Sequence, residues 1–160
     1  MAEKMRATSD GAGDGLIALA TTNMQVVVLT GDLAGSTRTD KFEKVFPNRF
    51  FNMGIAEQDM VGTAVGLALA GKIPFVCSFS CFILGRAYDQ IRVSLCYNNA
   101  NVKIIGTHSG ITVGPDGATA QIMEDIALAR VLPNMKVIVP ADAAEAQKAV
   151  IASGQMPGPV

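Results

Sequence analysis

The sequence predicts a doubly wound α/β domain: a mostly parallel sheet of about five strands with helices on both faces. Three observations predict it. Short runs that are β-branched and apolar throughout, rather than alternating, suit strands covered on both faces. They alternate with longer segments of helical period, the pattern of βαβ units and a parallel sheet. No linker, internal repeat or low-complexity tract divides the 160 residues, a length that suits one domain spanning 1–160.

The elements follow in order. A helix is predicted at about Gly11–Thr22, then a strand at Gln25–Thr30, whose QVVVLT is apolar almost throughout. Similar runs predict strands at Phe50–Gly54, Ile73–Ser78, Val102–Thr107 and Lys136–Pro140. Helices are predicted between and after them at Ala56–Gly71, Phe82–Tyr97, Gln121–Val131 and Ala141–Ser153. Pro140 followed by Ala141 and Asp142 gives the last helix its start. Two long polar loops, Gly31–Pro47 and His108–Ala120, lie beyond the carboxyl ends of predicted strands, where open parallel sheets bind ligands. The final stretch, Gly154–Val160, reads as the approach to a further strand, so the expectation is a chain cut short or a last strand missing.

Composition narrows the function classes. The chain is 49% apolar and 17% charged, which excludes a disordered, solvating chain. A net charge of −1 leaves no electrostatic footprint for nucleic acid, and no basic run suits an anionic membrane surface. The longest apolar stretch, Met60–Ala70, holds Thr63 and two glycines and falls short of the roughly 20 residues that a bilayer needs. The N-terminal MAEKMRATSDGAGDG has no apolar core of a secretory signal, and Cys77, Cys81 and Cys96 are odd in number and set in apolar segments. These point to reduced thiols in a cytoplasmic protein, with no metal ligands expected. So apolar a chain has little material for a polar skin, and it is expected to bury surface against a partner.

Four motifs carry candidate chemistry. Gly13-Asp14-Gly15 follows no strand and opens a helix, so Asp14 reads as an acid favoured by the helix dipole rather than a metal ligand. In Gly54-Ile55-Ala56-Glu57-Gln58, Glu57 begins a helix apolar or small on nearly every side. Two readings stay open there: a dipole-favoured acid, or a buried carboxyl that costs several kcal/mol unless protonated or partnered and so suits proton sharing near neutrality. Phe79 and Phe82, straight after a strand, read either as core or as a ring face offered to a flat ligand. The loop Thr107–Thr119 holds His108, the single histidine, together with Asp116 and several glycines, which is poor core material and a good site candidate.

Taken together, GIAEQ, PFVCSFSCFILGRAYDQIR, THSGITVGPDGAT and ARVLPNMKVIVPAD resemble, in order and spacing, the transketolase pyrimidine-binding domain over about residues 7–160. The likeness is strongest to the split-gene type, in which the pyrimidine-binding and diphosphate-binding halves are separate polypeptides. It implies thiamine diphosphate as cofactor, with its aminopyrimidine end bound here. Glu57 would bond the ring nitrogen N1′ and activate the aminopyrimidine, through which the cofactor's ylid forms and a two-carbon ketol unit passes between sugars. Phe82 would pack on the aminopyrimidine, Phe79 would line the same pocket, and Asp32 would lie near the cofactor. Ser36, His108 and Asp116 would contact the sugar or sugar-phosphate substrate.

Two departures fall on the substrate side. The family's Asp-Gly-x-Thr-His-Gln reads Asp116-Gly117-Ala118-Thr119-Ala120-Gln121 here, and its Ala-Thr-Arg reads Ala7-Thr8-Ser9. Loss of a charge-assisted phosphate contact costs about 1.5–3 kcal/mol of binding, so an unusual sugar is expected. The family's diphosphate–magnesium module is missing from these residues. The resemblance therefore implies a diphosphate-binding partner subunit that holds Mg²⁺, within a homodimer or heterotetramer. Two other functions stay open: a noncatalytic binding or scaffold subunit, and a deoxyxylulose-phosphate synthase-like condensation suggested by Arg86-Ala87-Tyr88-Asp89-Gln90.

Overall fold

The computed structural model describes residues 5–160; the first four residues of the predicted domain lie outside it. The chain runs α1 (Thr8–Thr22), β1 (Val26–Thr30), α2 (Asp40–Val45), β2 (Phe50–Asn52), α3 (Glu57–Leu69), β3 (Ile73–Phe79) and α4 (Ser80–Arg86). It continues through the short α5 (Tyr88–Gln90), a π-helix (Ile91–Tyr97), β4 (Lys103–Thr107), α6 (Asp125–Arg130) and α7 (Ala143–Gln155). Single 3₁₀ turns fall at Pro47–Arg49 and Gly117–Ala120.

The strands form one parallel sheet in the order β2-β1-β3-β4. β1 is central and wholly buried, which is why its sequence is apolar without alternation. Its side chains still part to the two faces. Val27 and Leu29 join Met60, Val61, Val76, Ile83 and Ile91 in one core under α3, α4 and the π-helix. Val26 and Val28 join Leu16, Leu19, Phe42, Phe75 and Val150 in a second core under α1, α2 and α7. The doubly wound α/β architecture predicted from the sequence is what the chain adopts.

Three sequence-based elements need correction. Lys136–Pro140 is not a strand: Val160, not this segment, lies against β4, with its N–H on the Val102 carbonyl and its carbonyl taking the Ile104 N–H. Lys136 N–H is bonded to the Pro159 carbonyl instead, so the apolar run has no strand ladder to join. The predicted helix Phe82–Tyr97 is broken after Arg86, whose carbonyl accepts from the Gln58 side chain of α3 at 3.0 Å. The predicted loop Gly31–Pro47 contains α2, a helix with a single buried side chain, Phe42, and thus no apolar period to read.

The last helix begins as Asp142 suggests. The Asp142 carboxylate accepts the Glu145 N–H at 2.8 Å while the Glu145 carboxylate accepts the Ala141 N–H at 2.6 Å, a reciprocal cap. Beyond α7, the buried Lys103 donates to the carbonyls of Met156 and Gly158, each at 2.6 Å, and fixes the closing turn against β4. No helix among the described residues is long and apolar enough to cross a membrane.

Candidate functional site

β1 is followed by β2 on one side, and the chain then crosses to lay β3 on the other. The crevice above the carboxyl ends of β1 and β3 is therefore the switch point of the sheet, where adjoining loops part and leave room for a ligand. Gly31 and Asp32 leave β1 there, Phe79 and Ser80 leave β3, and α3 starts beside them with Glu57.

Glu57 is 3% exposed, yet it is not an isolated buried acid. Arg86 Nη1 donates to Glu57 Oε1 at 2.8 Å, from a side chain that is itself 47% exposed. Of the two open readings, the structure shows the buried carboxyl, and it supplies the partner that such burial demands. Oε1 faces the backbone of Gly31, where a side chain on that residue would meet it at 4.0 Å. Glu57 Oε2 accepts no hydrogen bond among the described residues.

The same guanidinium lies over the Phe82 ring, 4.1 Å from its centroid. Phe82 in turn stacks with Phe79 at 5.4 Å and 15°, and Phe79 stacks with His108 at 3.9 Å and 26°. Glu57, Arg86, Phe82, Phe79 and His108 thus form one unbroken line of contacts across the crevice. Burial lowers the His108 pKa below its usual value; Asp116 acts against this, and Arg38 reinforces it. His108 Nδ1 lies 2.9 Å from the Thr107 hydroxyl, and its backbone sits in the left-handed region at φ 58°. A non-glycine residue there is strained, as is common where a side chain is aimed for use.

The other sequence-derived candidates stand at the rim. Asp32, also left-handed at φ 62°, is tied to Asn52: its N–H donates to Asn52 Oδ1 at 3.1 Å, and Asn52 Nδ2 donates back to Asp32 Oδ1 at 3.3 Å. Ser36 is exposed on the turn leading to Arg38, and its hydroxyl makes no hydrogen bond among the described residues. Asp116 is exposed in the loop above His108. The cluster therefore contains Glu57, Phe82, Phe79 and His108, while Asp32, Ser36 and Asp116 ring it. Ala120 is buried with Phe79 and Val113, so position 120 faces the same aromatic wall.

Three participants were missed in the sequence: Arg86, Arg38 and Asn52. A signal existed for Arg86, because a buried Glu57 requires a cation and Arg86 heads the segment that follows the Phe pair. Asp14 of the GDG triplet is placed elsewhere, on α1, ion-paired with Arg6 and with Lys41 at 3.3 Å. A cavity of about 660 Å³ also lies away from Glu57, along the outer edge of β4 between Ile105 and Val137, and its upper end meets His108, Ser109 and Ser9. None of Glu57, Arg86, Phe79 and Phe82 lines it, so the chemistry is assigned to the crevice.

Fold and site define a doubly wound α/β domain with a carboxyl–guanidinium–aromatic wall at the switch point of its sheet. The family model described as transketolase, pyrimidine binding domain, matches residues 4–160. The chain belongs to that family. It is 51% identical, over 94% of its length, to a putative transketolase C-terminal section from Methanocaldococcus jannaschii, of which it covers 48%. It is 40% identical over its whole length to one of the subunits of an apulose-4-phosphate transketolase from Phocaeicola vulgatus, covering 51% of that protein. Among solved structures it is similar to a split-gene transketolase described as an inactive beta4 tetramer, at 50% identity and a TM-score of 0.87, with 98% of this chain and 50% of that one covered. The chain thus spans about half the length of the curated relatives it matches.

Proposed function

We propose that this chain forms the pyrimidine-binding side of a transketolase active site, which moves a two-carbon ketol unit between sugars and works with a diphosphate-binding partner subunit. The observation that carries this reading is Glu57: a buried carboxyl with one oxygen held by Arg86, whose guanidinium lies over the stacked Phe82, and the other without a hydrogen bond among the described residues.

These residues fit the aminopyrimidine of thiamine diphosphate. A flat heteroaromatic ring needs an aromatic face and a directional partner for a ring nitrogen, and Phe82 with Glu57 Oε2 offers both. When bound, thiamine diphosphate supplies the carbon nucleophile that accepts and passes on the ketol unit. Glu57 holds the proton at the ring-nitrogen end, while Phe82 and Phe79 keep water from that end of the crevice. His108, held short of full protonation by burial, is placed to donate to or accept from a sugar hydroxyl, with Asp116, Ser36 and Asp32 at the mouth.

The need for a partner is supported by the exposed apolar side chains Phe51 and Ile55 on either side of the Asn52–Gly54 turn, beside Glu57. It is supported too by the description of the similar split-gene protein as inactive in its beta4 form. Ala120 in the aromatic wall and Ser9 on α1 favour a sugar unlike the common sugar phosphates. The test is reconstitution. The polypeptide carrying these 160 residues is mixed with a diphosphate-binding subunit, thiamine diphosphate and Mg²⁺, and ketol transfer is followed over a panel of phosphorylated and unphosphorylated sugars. Turnover only in the mixture is expected. Cofactor binding without turnover on any sugar would favour a noncatalytic binding subunit.

A further inference from the structure

We infer that Arg86 is a positioning residue for this site: one guanidinium fixes Glu57 Oε1 and the Phe82 ring together, so that the acid and the aromatic wall are set as a unit and Oε2 alone is presented to a ligand. The inference rests on the reading of Glu57 and Phe82 as aminopyrimidine contacts.

The geometry holds Arg86 at both ends. Its side chain donates to Glu57 at 2.8 Å, and its backbone carbonyl accepts from Gln58 at 3.0 Å. Adjacent residues at the start of α3 thus grip the head and the root of one residue at the end of α4. Helix α4 stops where this grip falls, and the chain turns into α5 and the π-helix. The guanidinium is a planar fork of fixed donors, so an edge aimed at Glu57 leaves its flat face free for Phe82, 4.1 Å from the ring centroid. A lysine ammonium brings the charge without the plane, and a glutamine neither the charge nor the full fork.

Exposure shows which partner depends on the other. Glu57 is buried and cannot be hydrated if its partner leaves, whereas Arg86 is nearly half exposed and loses little water in pairing. Removing Arg86 therefore frees both carboxyl oxygens and releases the ring, but leaves the two hydrophobic cores untouched. An error of about 1 Å in a reacting group costs on the order of 100-fold in rate. The expected signature is slower exchange per bound cofactor in a chain that still folds but is less stable, since Glu57 is left buried without its partner.

The experiment uses the complex with the diphosphate-binding subunit and compares Arg86→Gln, Arg86→Lys and Glu57→Gln with the natural protein. It reads the thiamine diphosphate dissociation constant by dialysis, the exchange of the thiazolium C2 proton for deuterium at saturating cofactor, and the urea midpoint of each chain. Arg86→Gln is expected to weaken binding about tenfold and slow exchange at saturation by about 10- to 100-fold, with a lowered urea midpoint because the buried Glu57 carboxylate loses its partner. Arg86→Lys is expected to recover most of the binding but less of the exchange, because charge returns without the plane. Natural binding and exchange in Arg86→Gln, with exchange lost in Glu57→Gln, would overturn the inference and leave the proposed function standing. Natural exchange in Glu57→Gln as well would overturn the reading on which it rests. A lowered urea midpoint with normal exchange per bound cofactor would reduce Arg86 to a structural role, and so would full recovery of exchange by Arg86→Lys.

Discussion

Truncating Phe79 to alanine removes the ring that joins the two halves of the candidate site. Phe79 is 2% exposed, stacks on His108 at 3.9 Å and on Phe82 at 5.4 Å, and anchors a small cluster with Val113 and Ala120. Core Phe→Ala changes cost about 3–5 kcal/mol in general; this cluster is a satellite that lies apart from the two main cores, so the low end, about 3 kcal/mol, is expected. With urea slopes of about 1–3 kcal/mol/M, the unfolding midpoint should fall by roughly 1–3 M. The same change rewets the imidazole, and since burial is the main cause of its lowered pKa, the His108 midpoint should rise. His108 is the single histidine of the chain, so its ring protons give one unambiguous NMR titration. The sign of the linked stability is fixed as well. The native chain binds the His108 proton less readily than the unfolded chain, so folding stability falls as pH drops through about 6.5, and less steeply in Phe79→Ala. A natural-chain midpoint at or above 6.5, or one that Phe79→Ala leaves in place, would refute the stacking argument.

Other consequences follow from the fold. Burial, with the nearby Lys136, lowers the Lys103 pKa from 10.5 to about 8, so the native chain sheds this proton before the unfolded chain does. Stability should therefore rise by about 1 kcal/mol between pH 8 and 9, and Lys103→Met should remove the slope; this is checked by urea unfolding. The window ends there because unfolded thiols ionise near pH 9 while Cys96 is pushed up to about 11, which acts the other way. Gly11→Ala would drive a methyl to 1.9 Å from the Ala143 carbonyl oxygen, forcing α1 off α7; a loss of about 2 kcal/mol or more is expected in thermal unfolding. Asp142→Ala removes the cap of α7 and should cost about 1 kcal/mol, measured the same way.

Much of the fold was legible because β1 and β3 are buried in the sheet and so read as apolar runs. β1, β2, β3 and β4 fall within two residues of their predicted bounds. What was not legible depends on tertiary competition. The run KVIVP at 136–140 shows strand propensity, but a strand also needs a neighbour, and Val160 holds the place beside β4. The period of residues 82–97 is helical, yet Gln58 takes the Arg86 carbonyl and breaks it. In the site, Glu57 and His108 stood out because an acid entering an apolar helix and a lone imidazole in a glycine-rich loop are poor core material, whereas the Phe pair read equally as core. Arg86 could be reached only indirectly, through the cation that a buried Glu57 needs, since the sequence does not show its position over Phe82 and against Glu57. Asp32 and Asn52 meet only because β1 and β2 pair in parallel, Thr30 against Asn52.

The most direct test of Glu57's role is C2-proton exchange of thiamine diphosphate in the complex with the diphosphate-binding subunit, comparing the natural chain with Glu57→Ala. If Glu57 holds the ring-nitrogen proton, exchange at saturating cofactor should fall by about 100-fold or more in the variant, the scale of a positioned acid–base group, while the fold stays intact. Exchange at the natural rate in folded, cofactor-saturated Glu57→Ala would contradict it.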